Sequence, residues 1–398
     1  MKAHRYRLKP SLEQQEQLAV QFGCARYVYN WALANKTQRW KEDQYSLSRY
    51  ELQTLLVRMK QQTETLWLKQ AHSQVLQSAL LHLDQAFKNF FAGRACFPQF
   101  KKKHGQQSCQ YPQGVKMEGN KVFLPKVGWV KAVIHREPMG TIKTVTISKD
   151  NTGQYYASVL FDTQELAIPP AQHVEHYTGL DAGIAQFMTN PDGASIPNPR
   201  FLERQLPNLR RKQQKLSRKQ KGSHNRAKAR LLVAKAHQAV ANARTDFHHQ
   251  HSKRIVDENQ AVFIEDLKIK NLLKNKRIAR SLLDIGWHSF TTKLAYKLKD
   301  RGGYLIKVPA HYTSQTCSCC DFVSKDNRKT QAHFVCVACG FALNADHNAA
   351  INVQRRGILK LKAAGITVSA CGGLGQPFWY QKAPAVEAVS PIHSRSAA

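Results

Sequence analysis

Four cysteines in two C-x-x-C pairs constrain the fold of this chain more tightly than any other feature of its sequence. Cys317 and Cys320 form the first pair, Cys336 and Cys339 form the second, and fifteen residues lie between the pairs. This spacing is typical of zinc sites in which two short turns supply four thiolates to one tetrahedral ion. A redox pair could explain one C-x-x-C motif but not two. We therefore predict a zinc ribbon over residues 313–340 with a structural Zn²⁺.

The turns of this ribbon differ in their sequence. Gly340 follows the second cysteine pair, as a tight turn prefers, whereas Asp321 follows the first and is less well suited. Cys319 is an additional thiol inside the first turn and leaves an alternative ligand open. The other cysteines are scattered, which favours a metal site over a disulfide framework in a cytosolic chain.

Three acidic residues each stand at the end or start of an otherwise apolar element. Asp181 follows a short apolar strand, Glu265 ends the strand 261–264, and Asp346 begins the last helix. Phosphodiester hydrolysis by two metal ions requires such a carboxylate cluster, and its hard oxygen ligands suit Mg²⁺ or Mn²⁺. The order strand, hairpin, helix, strand and helix predicts an α/β nuclease domain of the RuvC/RNase H type. Asp181, Glu265 and Asp346 are its predicted catalytic and metal-binding residues.

The alternative is that these acids are unrelated surface or capping residues. Asp346 alone would serve equally well as a helix N-cap, and an isolated Asp-x-Gly at Asp181 is weak evidence. Carboxylates that converge without metal repel one another and tend to protonate. The ordered set therefore favours a site that is complete only with its ions.

The charge of the chain indicates a polyanionic partner. Sixty Lys and Arg residues stand against 27 Asp and Glu, which gives a formal net charge of +33. Nucleic acid accounts for this imbalance through phosphate contacts, whereas an anionic membrane surface is the weaker alternative. No apolar run reaches the roughly 18–20 residues of a membrane span, and the charged start of the chain does not resemble a signal peptide. We expect a cytoplasmic protein.

A long helical stretch carries the densest positive charge. Between Arg204 and Thr245 there is no carboxylate, and Lys221, Gly222 and Ser223 predict a break between two helices. A charge run often only solvates a helix face, but the single sign favours contacts to phosphates. The predicted nucleic-acid-binding residues are Arg210, Arg211, Lys212, Arg218, Lys219, Lys221, Arg226 and Lys228.

The first half of the chain predicts a different architecture. A basic strand over residues 2–9 precedes a helical block that capping boxes open at Ser11 and Ser48, and short strands follow from about residue 106. We predict a β-barrel domain over residues 1–10 and 94–176 with a helical insert over 11–93. The nuclease domain then spans 177–312 and 341–366, and a flexible tail spans 367–398.

Many ordered motifs resemble those of the TnpB (OrfB) proteins of bacterial insertion sequences, which are relatives of type V CRISPR effector nucleases. The resemblance covers most of the chain. The motifs that carry it are Arg26–Asn30, Ala86–Phe91, Phe97–Lys101, Leu124–Lys131, Gly179–Gly183, Lys221–Ser223, Glu265–Leu267, Trp287, Tyr296–Lys297, Thr313–Cys317, Phe334–Cys336 and Asn348–Asn352.

The resemblance implies an RNA-guided DNA endonuclease. Such a protein binds a guide RNA from the transposon end, recognises a short DNA motif beside its target and cuts double-stranded DNA with one RuvC site. The β-barrel would correspond to the wedge domain of this family, and the helical insert to its recognition domain. Ser73, Gln74 and Gln77 match the stretch that contacts the DNA motif, although a polar helix face is the simpler interpretation. The protein is expected to be a monomer in its ribonucleoprotein.

The sequence departs from the family at two places near the acids. Asn344-Ala345-Asp346 stands where many members have Asp-Arg-Asp, and Ala182 replaces a larger residue. Neither change removes a predicted metal ligand. A nuclease-inactive RNA-guided regulator and an RNase H-like transposase are the alternatives. The intact acids disfavour the first, and only the resemblance disfavours the second, because such transposases use the same acids.

Overall fold

The structure, a computed structural model, describes residues 1–103, 105–163, 168–369 and 381–382, and it consists of two compact units. The first unit is Met1–Glu165 and the second is Leu166–Ala398. Within the described ranges, none of the helices combines the length and the apolar character that a membrane crossing requires.

The first unit combines one antiparallel sheet with a helical block. The strands are β1 (Lys2–Lys9), β2 (Gln107–Tyr111), β3 (Lys116–Glu118), β4 (Lys121–Leu124), β5 (Gly128–Val133), β6 (Thr141–Lys149) and β7 (Tyr155–Asp162). The helices are α1 (Leu12–Asp43), α2 (Arg49–Met59) and α3 (Ser73–Phe91), with a 3-10 helix at Thr63–Gln70. The order of strands in the sheet is β2-β6-β7-β1-β5-β4-β3, so the first strand of the chain lies at its centre.

Local sequence explains most of this unit. Both predicted capping boxes are present, since Ser11 and Ser48 each accept a hydrogen bond from the residue three positions later. In β1 the alternate residues His4, Tyr6 and Leu8 are buried, as expected of a strand with one face on a core. Strand β2 was not predicted, because its sequence Gln-Ser-Cys-Gln-Tyr is mostly polar.

The second unit follows a mixed α/β order. Its strands are β8 (His173–Val174), β9 (Tyr177–Ala182), β10 (Gln186–Thr189), β11 (Ala194–Pro197), β12 (Ala261–Glu265), β13 (Tyr304–Val308), β14 (His333–Val335), β15 (Ala342–Asn344), β16 (Thr367–Val368) and β17 (Gln381–Lys382). Its helices are α4 (Phe201–Ser217), α5 (His224–Glu258), α6 (Ile269–Leu272), α7 (Ala279–Ile285), α8 (Trp287–Lys299) and α9 (Ala345–Ala363), with a 3-10 turn at Lys325–Asn327.

A six-stranded sheet in the order β13-β12-β9-β10-β11-β17 organises this unit. Strand β12 runs parallel to both β9 and β13, whereas β10 is antiparallel to β9. The sheet is buried on both faces: Val262 and Ile264 belong to one apolar cluster, and Ala261 and Phe263 belong to another. Burial on both faces explains why β12 is continuously apolar instead of alternating.

The predicted flexible tail lies partly inside the described residues. Thr367–Val368 pairs in parallel with His173–Val174, and Gln381–Lys382 pairs with Ala194 and Ser195. Residues 370–380 and 383–398, including Cys371, lie outside the described residues.

Gly357 sets how closely α9 approaches the sheet. A Cβ atom at this position would lie 2.1 Å from the ring of Phe263, which is fully buried in β12. We expect Gly357→Ala to lower the free energy of unfolding by about 1–3 kcal/mol, because overpacking forces helix and strand apart. Gly23→Ala is the control, since Gly23 lies inside α1 with nothing within 4 Å of the added atom. It should be neutral or stabilising in thermal unfolding; equal losses for both variants would contradict this packing.

Candidate functional site

Asp181 and Glu265 lie side by side at the same edge of the sheet. Strands β9 and β12 are parallel neighbours, and Ile264 pairs with Leu180 in their register. The next residue of each strand is an acid, so Asp181 and Glu265 lie at the carboxyl ends of two adjacent parallel strands. Such edges are where open α/β sheets place their functional groups.

Helix α9 brings Asp346 to the same region. The helix crosses β9 so closely that a Cβ atom at Gly179 would lie 2.6 Å from the Ala350 carbonyl oxygen. Asp346 lies one turn before Ala350, in the first turn of the helix. The N-cap is Asn344, whose side-chain oxygen accepts from the backbone N–H of Asp346 at 3.0 Å. The capping interpretation of Asp346 is therefore wrong.

Burial disfavours the ionised forms of all three acids, and at Asp181 repulsion by the other two adds to this effect. Burial, followed by the neighbouring charges of Glu265 and Asp346, raises the pKa of Asp181 well above its usual range. Burial also raises the pKa of Glu265 and the pKa of Asp346. The guanidinium of Arg328 acts in the opposite direction on all three. The three half-buried carboxylates thus keep raised pKa values even though Arg328 favours their ionised forms.

The donor set of this region fits hard divalent cations. Carboxylate oxygens are the ligands that Mg²⁺ and Mn²⁺ prefer, and bound cations would favour the ionised forms that burial, and at Asp181 also repulsion, disfavours. Within the described residues, the four ribbon cysteines are the only set of three or more His, Cys, Asp or Glu ligands whose atoms all lie within 4.8 Å of one another. The oxygens of Asp181, Glu265 and Asp346, all of them described, do not form such a compact set, so their fit to divalent cations rests on the type of donor atom.

The four ribbon cysteines form a compact cluster that fits zinc. The Sγ atoms of Cys317 and Cys339 are 3.8 Å apart, and those of Cys320 and Cys336 are 3.6 Å apart. A tetrahedron of thiolates about 2.3 Å from Zn²⁺ has edges of about 3.8 Å. Cys319 is exposed and does not belong to this cluster.

Both turns of the ribbon have the same backbone geometry. The N–H groups of Asp321 and Gly340 donate to the carbonyls of Cys317 and Cys336, each at 3.0 Å. Both residues adopt the left-handed region, with φ of 60° at Asp321 and 72° at Gly340. Aspartate tolerates this conformation better than most residues with a Cβ atom. The unusual residue of the first turn therefore does not prevent a regular zinc turn.

The ribbon segment contacts two of the three acids through residues that sequence reasoning did not select. The hydroxyl of Thr313 donates to Oε1 of Glu265, and Thr313 is almost fully buried. Nη2 of Arg328 lies 3.7 Å from Oδ1 of Asp346. The position of Thr313 just before the first cysteine pair could have indicated that it lies near the acids. Arg328, in contrast, has basic neighbours on the same segment, so the sequence offered no means of singling it out.

Helix α9 fixes this segment with three side chains spaced four residues apart. Asn348 is fully buried, accepts from the backbone N–H of Ser318 and donates to the carbonyl of Thr316. Asn352 donates to the carbonyls of Thr313 and Thr316 at 2.9 and 2.8 Å. Arg356 donates to the carbonyls of Pro309 and His311. The Asn348–Asn352 motif therefore joins the helix of Asp346 to the loop that carries Thr313.

The predicted phosphate-binding residues lie along α4, the turn after it, and α5. Most of their side chains are exposed, whereas Lys212 and Arg226 are half-buried. Arg226 donates to the carbonyls of Leu216 and Lys219 and thereby closes the turn between the helices. Ser223 caps α5, so the predicted break at residues 221–223 is confirmed.

The predicted motif-reading residues occupy the first turns of α3. Ser73 and Gln77 are exposed on one face and line a cavity of about 270 Å³ with residues of α2. Gln74 instead donates to the side chain of Gln113 at 3.1 Å. These three residues are thus accessible in part, and their role stays a prediction.

Three family models match the chain. Residues 158–276 match the OrfB family of IS605, described as "Probable transposase". Residues 287–353 match the Cas12f1-like TNB domain, and residues 1–44 match a helix-turn-helix domain of the same OrfB family.

Relatives match over nearly the whole length. The chain is 34% identical over 393 residues to "Putative RNA-guided DNA endonuclease InsQ" of Escherichia coli K12, covering 94% of this chain and 95% of the relative. It is 35% identical to "Putative RNA-guided DNA endonuclease" of Streptomyces pristinaespiralis, covering 93% and 91%. The fold is similar to a Cas12f1 chain solved as a Cas12f1-sgRNA-target DNA complex, with a TM-score of 0.52, 16% identity and coverage of 85% and 82%. The chain therefore belongs to the OrfB family of IS605, the TnpB proteins, as its motifs predicted.

Proposed function

We propose that this protein is an RNA-guided DNA endonuclease that cleaves double-stranded DNA by metal-dependent phosphodiester hydrolysis. The convergence of Asp181, Glu265 and Asp346 at one edge of the sheet, where all three are half-buried, is the observation that carries the proposal. Relatives over nine-tenths of the chain are named for the same activity. We assign the second unit to the RuvC/RNase H-like class, with the cysteine ribbon as its structural zinc site.

In the proposed site the three acids would bind metal from three different elements of the fold. Asp181 and Glu265 would bind Mg²⁺ or Mn²⁺ from adjacent strands, and Asp346 would complete the set from α9. When bound, the ions supply Lewis-acid stabilisation of the attacking and leaving oxygens. Thr313 holds Oε1 of Glu265 and orients its carboxylate. Arg328 lies close enough to Asp346 to offset negative charge at this edge of the site.

The partners of the proposed nuclease are a guide RNA from the transposon end and its DNA target. The exposed Lys and Arg side chains of α4 and α5 would bind phosphates without reading sequence. The first unit would act as wedge and recognition domains, with Ser73, Gln74 and Gln77 near the target-adjacent motif. We propose a protein monomer in a cytoplasmic ribonucleoprotein.

The direct test is cleavage by the protein purified with the RNA that it retains from cells. After sequencing of that RNA, supercoiled plasmids with matched and mismatched targets are incubated with Mg²⁺. Only the matched plasmid should be linearised, and chelator should prevent the reaction. Equal cutting of both plasmids would exclude guidance by RNA. Strand joining to a second DNA would indicate a transposase, and guided binding without cutting would indicate a regulator.

A conservative substitution of Thr313 tests whether its hydroxyl orients the carboxylate of Glu265. Thr313→Val keeps the shape of the side chain but removes the hydrogen bond to Glu265. We expect roughly 10- to 100-fold loss in metal affinity or activity, the range for groups that orient metal ligands. The measurements are the Mg²⁺ concentration for half-maximal cleavage and Mn²⁺ binding by electron paramagnetic resonance without DNA.

The matched control is Thr313→Ser, which keeps the hydroxyl and should stay near wild type in both assays. If the valine variant binds Mn²⁺ and cleaves as the wild type does, the Thr313 hydroxyl does not orient Glu265. The wild-type assay remains a separate test of the nuclease itself.

A further inference from the structure

Exposed aromatic rings at the end of α3 form a surface that the proposed nuclease site does not use. We define the aromatic patch as Phe90, Phe91, Phe97 and Phe100. Phe91, Phe97 and Phe100 are 77, 46 and 58% exposed. Surface patches of large apolar side chains mark interaction sites in soluble proteins. A partner with flat apolar faces would therefore fit this patch.

Ring packing and backbone contacts hold the patch in a fixed shape. The Phe90 ring lies 5.2 Å from Phe91 and 5.4 Å from Phe97, centroid to centroid. Phe87, which packs on the core of the first unit, supports Phe91 and Phe97 from below at 6.2 and 5.6 Å. The platform thus loses little conformational freedom when a ligand stacks on it.

The segment that follows α3 is also anchored. Pro98, which lies between Phe97 and Phe100 in the sequence, is buried, whereas both phenylalanine rings are exposed. The side chain of Asn30 on α1 exchanges two hydrogen bonds with the backbone of Lys101, at 2.9 and 2.8 Å. Because residues on both sides of Phe100 are fixed, its ring is displayed on an ordered segment.

The charged residues around the aromatic patch indicate which kind of partner it binds. Residues 84–103 contain five Lys or Arg side chains and one acid, Asp84, which pairs with Lys88 at 3.0 Å. Directly after Phe100 in the chain, Lys101 and Lys102 line a cavity of about 210 Å³ together with Arg26, Phe22 and polar groups. An apolar protein face would leave these cations without counter-charges. A nucleic acid satisfies both features, since its bases stack on aromatic rings and its phosphates bind cations.

We propose that the aromatic patch binds unpaired nucleobases of single-stranded nucleic acid, with the backbone phosphates directed to Arg26, Lys101 and Lys102. In a duplex the base faces are stacked on one another and are not available to the rings. Single strands present them, in RNA and in unwound DNA alike. The proposal concerns a surface of the first unit and does not depend on cleavage by the second.

Photocrosslinking of the full chain tests the site and identifies the source of the bases. In the RNA arm, the protein is purified with its bound RNA from cells grown with 4-thiouridine. In the DNA arm, it is mixed with a 20-nucleotide single strand containing 5-iododeoxyuridine or with the same strand in a blunt duplex. We expect crosslinked peptides from residues 90–102 in at least one single-stranded arm and not with the duplex. Their absence from both arms would overturn the proposal.

Substitutions separate stacking from general apolar contact. The double variant Phe91→Leu with Phe97→Leu keeps apolar side chains but removes two flat rings, and it should bind the single strand roughly 5- to 100-fold more weakly. Phe91→Tyr with Phe97→Tyr keeps the rings and should bind as the wild type does. Leu12→Ala, at another exposed apolar residue of the same unit, should have no effect.

Thermal unfolding of each variant shows whether the first unit still folds. Wild-type binding by a folded leucine variant would overturn the proposal. A change in oligomeric state with unchanged nucleic acid binding would also overturn it, because a second copy would then be the partner of the patch.

Discussion

Asp181→Asn is expected to abolish guided cleavage, with a loss of at least roughly 1000-fold, equivalent to about 4 kcal/mol of transition-state stabilisation. Asparagine keeps the size of the side chain but removes the negative charge that makes a carboxylate a strong ligand for Mg²⁺. The measurement is the rate of plasmid linearisation at saturating Mg²⁺, together with the amount of RNA that co-purifies. RNA retention should be unchanged, because Asp181 is not one of the basic side chains of α4 and α5 that would bind RNA phosphates.

Asp192→Asn is the matched control, since Asp192 is an exposed acid in the turn between β10 and β11. It should cleave as the wild type does. If Asp181→Asn loses both RNA and cleavage, the acid supports folding instead of chemistry. If it cleaves normally, the proposed metal site is wrong.

Although Asp181→Asn should abolish cleavage, it should stabilise the fold when metal is removed. The folded-state pKa of Asp181 is raised, so the folded protein binds a proton more tightly than the unfolded chain does. Stability therefore falls as pH rises from the unfolded value of about 4 through the raised folded value. In chelator near pH 8, Asp181→Asn should melt at a higher temperature than the wild type. A lower melting temperature there would mean that other groups already compensate the charge of Asp181.

The sequence predicted those parts of the site that depend on neighbouring strands. Apolar strands that end in Asp181 and Glu265 become adjacent once β9 and β12 pair in parallel. The position of each acid at the end of a strand was therefore sufficient to predict that the two would lie close together. Asp346 followed from its place at the start of the last helix. The cysteine spacing likewise predicted a cluster of four thiols, because a short segment determines its own geometry.

Thr313, Asn348 and Asn352 belong to motifs of the sequence, but the contacts that they make depend on chain reversals that no local pattern encodes. Thr313 and Arg328 reach Glu265 and Asp346 only because the ribbon folds back against α9. Asn348 and Asn352 secure that contact through backbone carbonyls, which any sequence possesses. Gly357 is similar, since the helical pattern gives no sign that Phe263 lies beneath it. Long-range packing therefore accounts for most of what could not be predicted.

Loss of the zinc cluster should have the second largest effect on cleavage. Cys336→Ser replaces a thiolate ligand with a poor one, and we expect bound zinc to fall from about one per chain to nearly none. Structural zinc contributes about 10–16 kcal/mol of apparent binding energy in small zinc peptides, so the ribbon should lose its fold. Thr313 and Arg328 then lose their positions beside the acids, and cleavage should fall by roughly 100-fold or more.

Cys319→Ser is an unusually close control, because this thiol lies inside the first turn but outside the four-cysteine cluster. It should keep zinc, measured by mass spectrometry, and cleave at the wild-type rate. Should Cys319→Ser lose zinc instead, Cys319 would be a ligand and the assigned set would be wrong. If Cys336→Ser lost its zinc and still cleaved normally, the ribbon would not position the acids. Zinc content and cleavage together therefore distinguish a ribbon that supports the carboxylates from one that is merely attached beside them.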